Sequence, residues 1–374
     1  MRLLISSLVI AFVVSGCADD STTPRDLGQF PWLSESLPRP RVPADNPLTA
    51  EKIELGRHLF YDSKLSGNDT QSCASCHDPD LGFADGLARS IGSTGETHPR
   101  SSMGLTNVAY ASTLNWAAPA VGELEAQLLT PLFGDAPIEL GMPSEDVLLQ
   151  RLSADPDDPA MFAAAFPEAT EPVSVDNTAK AIASFERRLT SASSPYDTYI
   201  AGESTAMSAQ EKRGMDIFLS ERTECFHCHG GFNFSDSTTH DETAFTERAF
   251  HNNGLYNVGG SGMYPTGNGG LFEVTGVLED SGRFKAPTLR NIELTAPYMH
   301  DGSLATLEDV VDHYARGGTL TASGPNAGDG RENPFKSEFI VGFELSAEER
   351  ADLVAFLKAL TDRELIEDPA VRAP

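Results

Sequence analysis

The chain has 374 residues, with 55 acidic against 27 basic side chains and a net charge of −28. That balance excludes nucleic-acid binding, which needs a basic surface, and favours docking to neutral or basic proteins. Length points to about two ordinary domains, and an apolar fraction of 40% is enough for real cores.

Met1–Gly16 has a basic second residue, Arg2, an apolar run from Leu3 to Val14, and small residues before Cys17. This is the pattern of a secretory signal, too short to span a bilayer. Val14-Ser15-Gly16-Cys17 resembles a bacterial lipobox, so residues 1–17 are expected to be a lipoprotein signal with Cys17 lipidated. The alternative is an ordinary signal peptide with a chance cysteine. Lipidation would place the mature chain on the periplasmic side, anchored at the outer membrane and touching it only through lipid. Residues 18–47, rich in Pro, Ser and Asp, read as a tether.

Two short segments carry the chemistry. Cys73-Ala74-Ser75-Cys76-His77 and Cys225-Phe226-His227-Cys228-His229 both read Cys-x-x-Cys-His, the attachment pattern for c-type haem. In that arrangement both thiols bond to the porphyrin and the adjacent imidazole binds the iron. A four-thiolate zinc site is the alternative, but its cysteine pairs usually lie on the order of 12–20 residues apart and have no use for the histidines. A Cys-x-x-Cys pair is also a redox motif more often than a structural bridge. The fifth cysteine, Cys17, falls in the leader, so none remains for a disulfide framework.

A helix precedes each motif. Thr49-Ala50-Glu51-Lys52 leads to Gly56 and Phe60, and Ser208-Ala209-Gln210-Glu211-Lys212 leads to Gly214 and Phe218. The recurrence suggests an internal duplication, with each glycine expected to let its helix approach a flat ring. Helical periodicity also covers Glu123–Phe133, Glu145–Leu152, Val175–Leu189, Leu307–Arg316 and Ala347–Leu360. Ser208 with Glu211, Thr306 with Asp309 and Ser346 with Glu349 are predicted capping boxes. No strand series stands out. The expected fold is therefore mainly α, with little β and long Gly/Pro-rich loops. A boundary near Ser191–Thr205 splits it into 48–195 and 196–374.

Phe284-Lys285-Ala286-Pro287-Thr288-Leu289-Arg290-Asn291, followed by Leu294-Thr295-Ala296-Pro297-Tyr298-Met299-His300-Asp301-Gly302, resembles the bacterial di-haem cytochrome c peroxidase and MauG superfamily. Gly95-Glu96-Thr97-His98-Pro99-Arg100 and Pro131-Leu132-Phe133-Gly134 look most like its MbnH-type enzymes, associated with methanobactin and copper-protein clusters. The resemblance implies two cytochrome c-like haem domains packed together, the first peroxidatic.

It also implies roles for particular residues. Leu307, Val310, Val311 and Tyr314 share one helical face. The family register places Tyr314 where the methionine-ligated peroxidases have their sixth iron ligand. The alternative is a core tyrosine, with Met299 or Met263 on the iron. Glu139 matches the distal acid that moves a proton during peroxide cleavage, Gln127 a glutamine of the same pocket, and Trp116 the tryptophan between the haems. His98 is given no ligand role. Thr295 and Pro297 match carbonyl donors of an inter-haem Ca²⁺ site whose side-chain donor, an asparagine, is Ser101 here. That substitution leaves calcium open.

Three functions follow from the resemblance. The first is a MauG/MbnH-like enzyme that uses hydrogen peroxide to form a high-valent di-haem oxidant. It would modify a partner protein, at a tryptophan, the partner being small, secreted and copper-binding. The second is a conventional peroxidase fed by a cytochrome c or cupredoxin donor, and the third a non-enzymatic electron carrier.

Overall fold

Residues 30–374 are described in a computed structural model of the chain; Cys17, its signal and residues 18–29 lie outside the described residues. The main helices are α1 (Ala50–Tyr61), α2 (Leu124–Gln127), α3 (Leu129–Phe133), α4 (Val175–Glu186), α5 (Ala209–Phe218), α6 (Leu307–Arg316) and α7 (Ala347–Lys358). Among the described residues, strand is limited to two antiparallel pairs: β1 (His251–Asn252) with β2 (Arg283–Phe284), and β3 (Leu320–Thr321) with β4 (Gly328–Asp329). No described helix is long and apolar enough to cross a membrane.

Local chemistry sets the helix ends. The three predicted capping boxes form, at Ser208/Glu211, Thr306/Asp309 and Ser346/Glu349. The helix expected over 123–133 is instead two short pieces. Pro131 has no N–H to offer the carbonyl of Gln127, so the ladder is interrupted there.

Two cores are built on one plan. In the first, α1 crosses α4, with Phe60 against Phe185 at 5.1 Å between ring centroids. In the second, α5 crosses α7, with Phe218 against Phe356 at 5.2 Å. The duplicated glycines sit at these crossings. A Cβ on Gly56 would lie 1.9 Å from the Ala181 carbonyl oxygen, and one on Gly214 would lie 1.9 Å from that of Asp352. Their contacts are therefore to another helix, not to a flat ring as expected from sequence.

The ends of the chain cross the two units. Leu365, Ile366 and Val371, far along in sequence, join the first core. The described part of the tether is packed rather than free. Pro38 O accepts from the buried Tyr110 hydroxyl at 2.6 Å, Arg41 donates to the carbonyls of His240 and Thr243, and Asn46 is fully buried.

Candidate active site: two haem cavities

The first motif opens as a 3-10 turn over Cys73–Ser75, capped by Ser72 and Ser75; the second is a single α turn over Cys225–Cys228. In both, the histidine that follows faces a backbone carbonyl, and Ser102 Oγ also lies 3.3 Å from His77 Nδ1. His77 Nδ1 lies 2.8 Å from Phe83 O, and His229 Nδ1 lies 3.1 Å from Phe234 O. A carbonyl can only accept, so each Nδ1 carries the proton and each Nε2 keeps its lone pair for a metal. Burial lowers both imidazoles' affinity for protons, which keeps them neutral, as a ligand must be. Phe83 (φ 63°) and Phe234 (φ 49°) both take the left-handed backbone that aims their carbonyls at the rings.

Each motif borders a cavity. The first, of about 450 Å³, is lined by Cys73, Cys76 and His77 together with Gln127, Glu139 and Trp116. The second, of about 180 Å³, is lined by Cys225, Cys228, His229, Tyr314 and again Trp116. The predicted stripe Leu307, Val310, Val311 and Tyr314 forms one of its walls. Met299 shares this cavity, while Met263 is absent from its lining. Burial pushes the Cys76 and Cys225 thiols up to about 11, so both are uncharged.

Glu139 and Gln127 both border the first cavity. Burial raises the Glu139 carboxyl, and nearby His98 opposes the rise. Gln127 Oε1 is buried with no partner among the described residues. His98 borders the same cavity, but its Nε2 contacts Ile138 O at 3.1 Å.

Trp116 joins the two sites. Its Nε1–H donates to Ser101 O at 2.9 Å, and its carbonyl accepts from Lys285 N at 2.8 Å. Lys285 was not singled out from sequence, although it lies inside the run that carried the resemblance. Like Trp116, it borders both haem cavities and the small polar one between them. Its ammonium donates to Thr113 O at 2.9 Å and pairs with no carboxylate among the described residues. Burial alone pushes it down to about 8. A buried cation without an anion fits a haem, whose carboxylates would supply the missing charge.

Glu186 was also missed, because Glu186-Arg187-Arg188 reads as a surface charge run. Its carboxyl borders the first cavity, and burial raises it to about 8.

Calcium fares less well. Thr295, Pro297 and Ser101 do border one cavity, of about 100 Å³. Its lining includes Lys285 and Arg290 but no carboxylate, and Ser101 Oγ already donates to Met299 O at 3.1 Å. A hard dication is poorly matched there, and no step is assigned to it.

Comparison with known proteins shows the family. The model of the family described as di-haem cytochrome c peroxidase matches residues 50–205. Methylamine utilization protein MauG of Methylorubrum extorquens is 35% identical over 358 residues, spanning 94% of this chain and 91% of its own. The chain belongs to the di-haem cytochrome c peroxidase and MauG family. It is a haem-dependent oxidoreductase acting with peroxide, and its family carries two c-type haems. Cytochrome-c peroxidase IdrP1 of a Pseudomonas species is 35% identical over 387 residues, spanning 99% of this chain and 95% of its own. Among solved structures, a MauG-like protein associated with microbial copper homeostasis superposes with a TM-score of 0.90 at 50% identity. That match covers 91% of this chain and 98% of the other. The diheme peroxidase BthA of Burkholderia thailandensis, at 21% identity and a TM-score of 0.68, shares the fold.

Proposed function

We propose that this is a MauG/MbnH-like enzyme that uses hydrogen peroxide to oxidise a residue of a second protein, a tryptophan on a small secreted copper-binding partner. Tyr314 carries this reading, because a phenol oxygen lines the second cavity together with His229. A phenolate is a hard anionic donor suited to oxidised iron, whereas a thioether favours the reduced metal. The 50% identical MauG-like protein associated with copper homeostasis supports the choice of partner. The leader and Cys17 support a lipid anchor on the periplasmic side, at the outer membrane.

Cys73, Cys76 and His77 would hold the first haem, and Cys225, Cys228, His229 and Tyr314 the second. When bound, the haems supply the reduction of peroxide and store its two oxidising equivalents. Glu139, raised toward neutrality and facing the first cavity, exchanges a proton between the two peroxide oxygens. Gln127 Oε1, without a partner among the described residues, accepts a hydrogen bond from the incoming peroxide. Trp116 offers an indole between the sites as a stepping stone for an electron.

The test adds stoichiometric peroxide to the diferric protein and follows visible and near-infrared absorbance. The expected result is a near-infrared change coupled to both haems that is lost in Tyr314→Phe. A response in Tyr314→Phe equal to that of the unmodified protein would overturn the reading. A second reading, a conventional peroxidase fed by a cytochrome c or cupredoxin, draws on Met299, whose sulfur borders the same cavity. It predicts a sulfur–iron charge-transfer band and no reaction before half-reduction.

A further inference from the structure

Asn253 bonds to one of the two side chains that compete for the second iron and shares a cavity with the other. It follows β1 directly and borders the second cavity beside Tyr314 and Met299. The backbone N–H of Leu255, which can only donate, reaches Asn253 Oδ1 at 3.2 Å, and the Tyr264 hydroxyl approaches the same oxygen at 3.5 Å. This fixes the amide's orientation, with oxygen toward the loop and NH₂ toward the cavity. Nδ2 then donates to Met299 Sδ at 3.2 Å, and the same residue borders the cavity together with Tyr314.

Met299 is restrained at its backbone as well. It adopts φ 71°, a left-handed value unusual for a non-glycine residue. Its carbonyl accepts from Ser101 Oγ at 3.1 Å and from Gly302 N at 3.3 Å. Tyr314 arrives on α6, Met299 on the 297–302 loop and Asn253 on the segment after β1, so three separate parts of the chain meet at one cavity.

We propose that Asn253 selects the sixth ligand of the second haem. Its amide occupies the Met299 sulfur, so that the Tyr314 oxygen rather than sulfur meets the iron. The inference rests on the reading of Tyr314 given above and supplies the reason for it. A thioether has weak acceptor capacity, and a lone pair engaged by an N–H is less available to a metal. Asn253 is thus a positioning residue, acting through Met299.

The test uses the full di-haem protein and reads the second haem by its sulfur–iron charge-transfer band, its tyrosinate resonance Raman modes and its midpoint potential. The unmodified protein should show tyrosinate modes and no sulfur band. Asn253→Leu should gain the sulfur band, lose most of the tyrosinate intensity and raise the midpoint. Adding Met299→Leu to that variant should remove the band again. Should the leucine variant load haem poorly, Asn253→Asp keeps the size, removes both donors and should move the same signals. Tyrosinate modes at full intensity in both Asn253 variants would overturn the proposal while leaving Tyr314 as the ligand. A sulfur band in the unmodified protein would overturn both claims.

Discussion

Replacing Gly56 with alanine sets helix propensity directly against packing. In an exposed helix interior the change would stabilise by about 1 kcal/mol, since glycine is the poorer helix former. Here the new Cβ would lie 1.9 Å from Ala181 O and 2.9 Å from Phe185 Cβ, against an ordinary contact of at least 3.4 Å. The neighbour at 1.9 Å is a backbone carbonyl, which cannot swing aside like a flexible side chain. The helices must therefore part by about 1.5 Å, and overpacking on that scale costs about 3 kcal/mol, the upper end of the usual range. Packing wins by about 2 kcal/mol, equivalent to a midpoint lower by about 4–8 °C. Gly214→Ala should behave alike, because its Cβ would meet Asp352 O at 1.9 Å and Phe356 Cβ at 2.8 Å. Scanning calorimetry of the di-haem protein reads the effect, with haem content measured alongside. A midpoint that is unchanged or higher in either variant would refute the reasoning.

Glu139→Gln, with both haems retained, should slow peroxide consumption by about 10²–10⁴-fold in a stopped-flow assay; an unchanged rate would remove Glu139 from the mechanism. Glu186 should make the fold pH-sensitive. Its carboxyl is raised from 4.5 to about 8, so between those values the unfolded chain has released a proton that the native state keeps. Stability should fall as pH climbs through that window, and Glu186→Gln should flatten the profile of thermal midpoint against pH. Lys285→Met removes a buried positive charge that borders both haem cavities and should lower both midpoint potentials, since a nearby cation favours the reduced iron. Spectroelectrochemistry showing neither potential displaced would break that link.

What could be read from the sequence was local. A Ser or Thr three residues ahead of an acid dictates a capping box, and Cys-x-x-Cys-His dictates haem attachment, because each depends on neighbours a few residues away. The face Leu307, Val310, Val311, Tyr314 was visible as helical spacing, and it forms a wall of the second cavity. Lys285, Glu186 and Asn253 gave no such signal. Their roles depend on partners brought together by tertiary packing, such as Thr113 for Lys285 and Met299 for Asn253. Gly56 was noticed but given the wrong neighbour, since sequence marks a close approach without saying what approaches. The strapped segment around Pro38–Asn46 misled for the opposite reason. Its composition matches a linker, and the bonds that hold it lie far along the chain.

The two halves differ where it matters for function, and the duplication shows how. Their proximal sides are matched, with a left-handed phenylalanine aiming its carbonyl at the histidine's Nδ1 and the same Gly–helix crossing behind it. The same kind of bond thus orients each histidine, with Ser102 Oγ an added neighbour of His77 Nδ1. The larger difference lies in the remaining walls. The first cavity is the larger and contains Gln127, Glu139 and Glu186, acceptors and proton carriers that peroxide can use. The second is walled by the α6 stripe and ends at Tyr314. On the proposed reading, peroxide chemistry belongs to the first half and ligand-stabilised oxidation to the second. The shared wall of Trp116 and Lys285 makes the two a single unit, because a charge gained on either side is felt by the same buried ammonium.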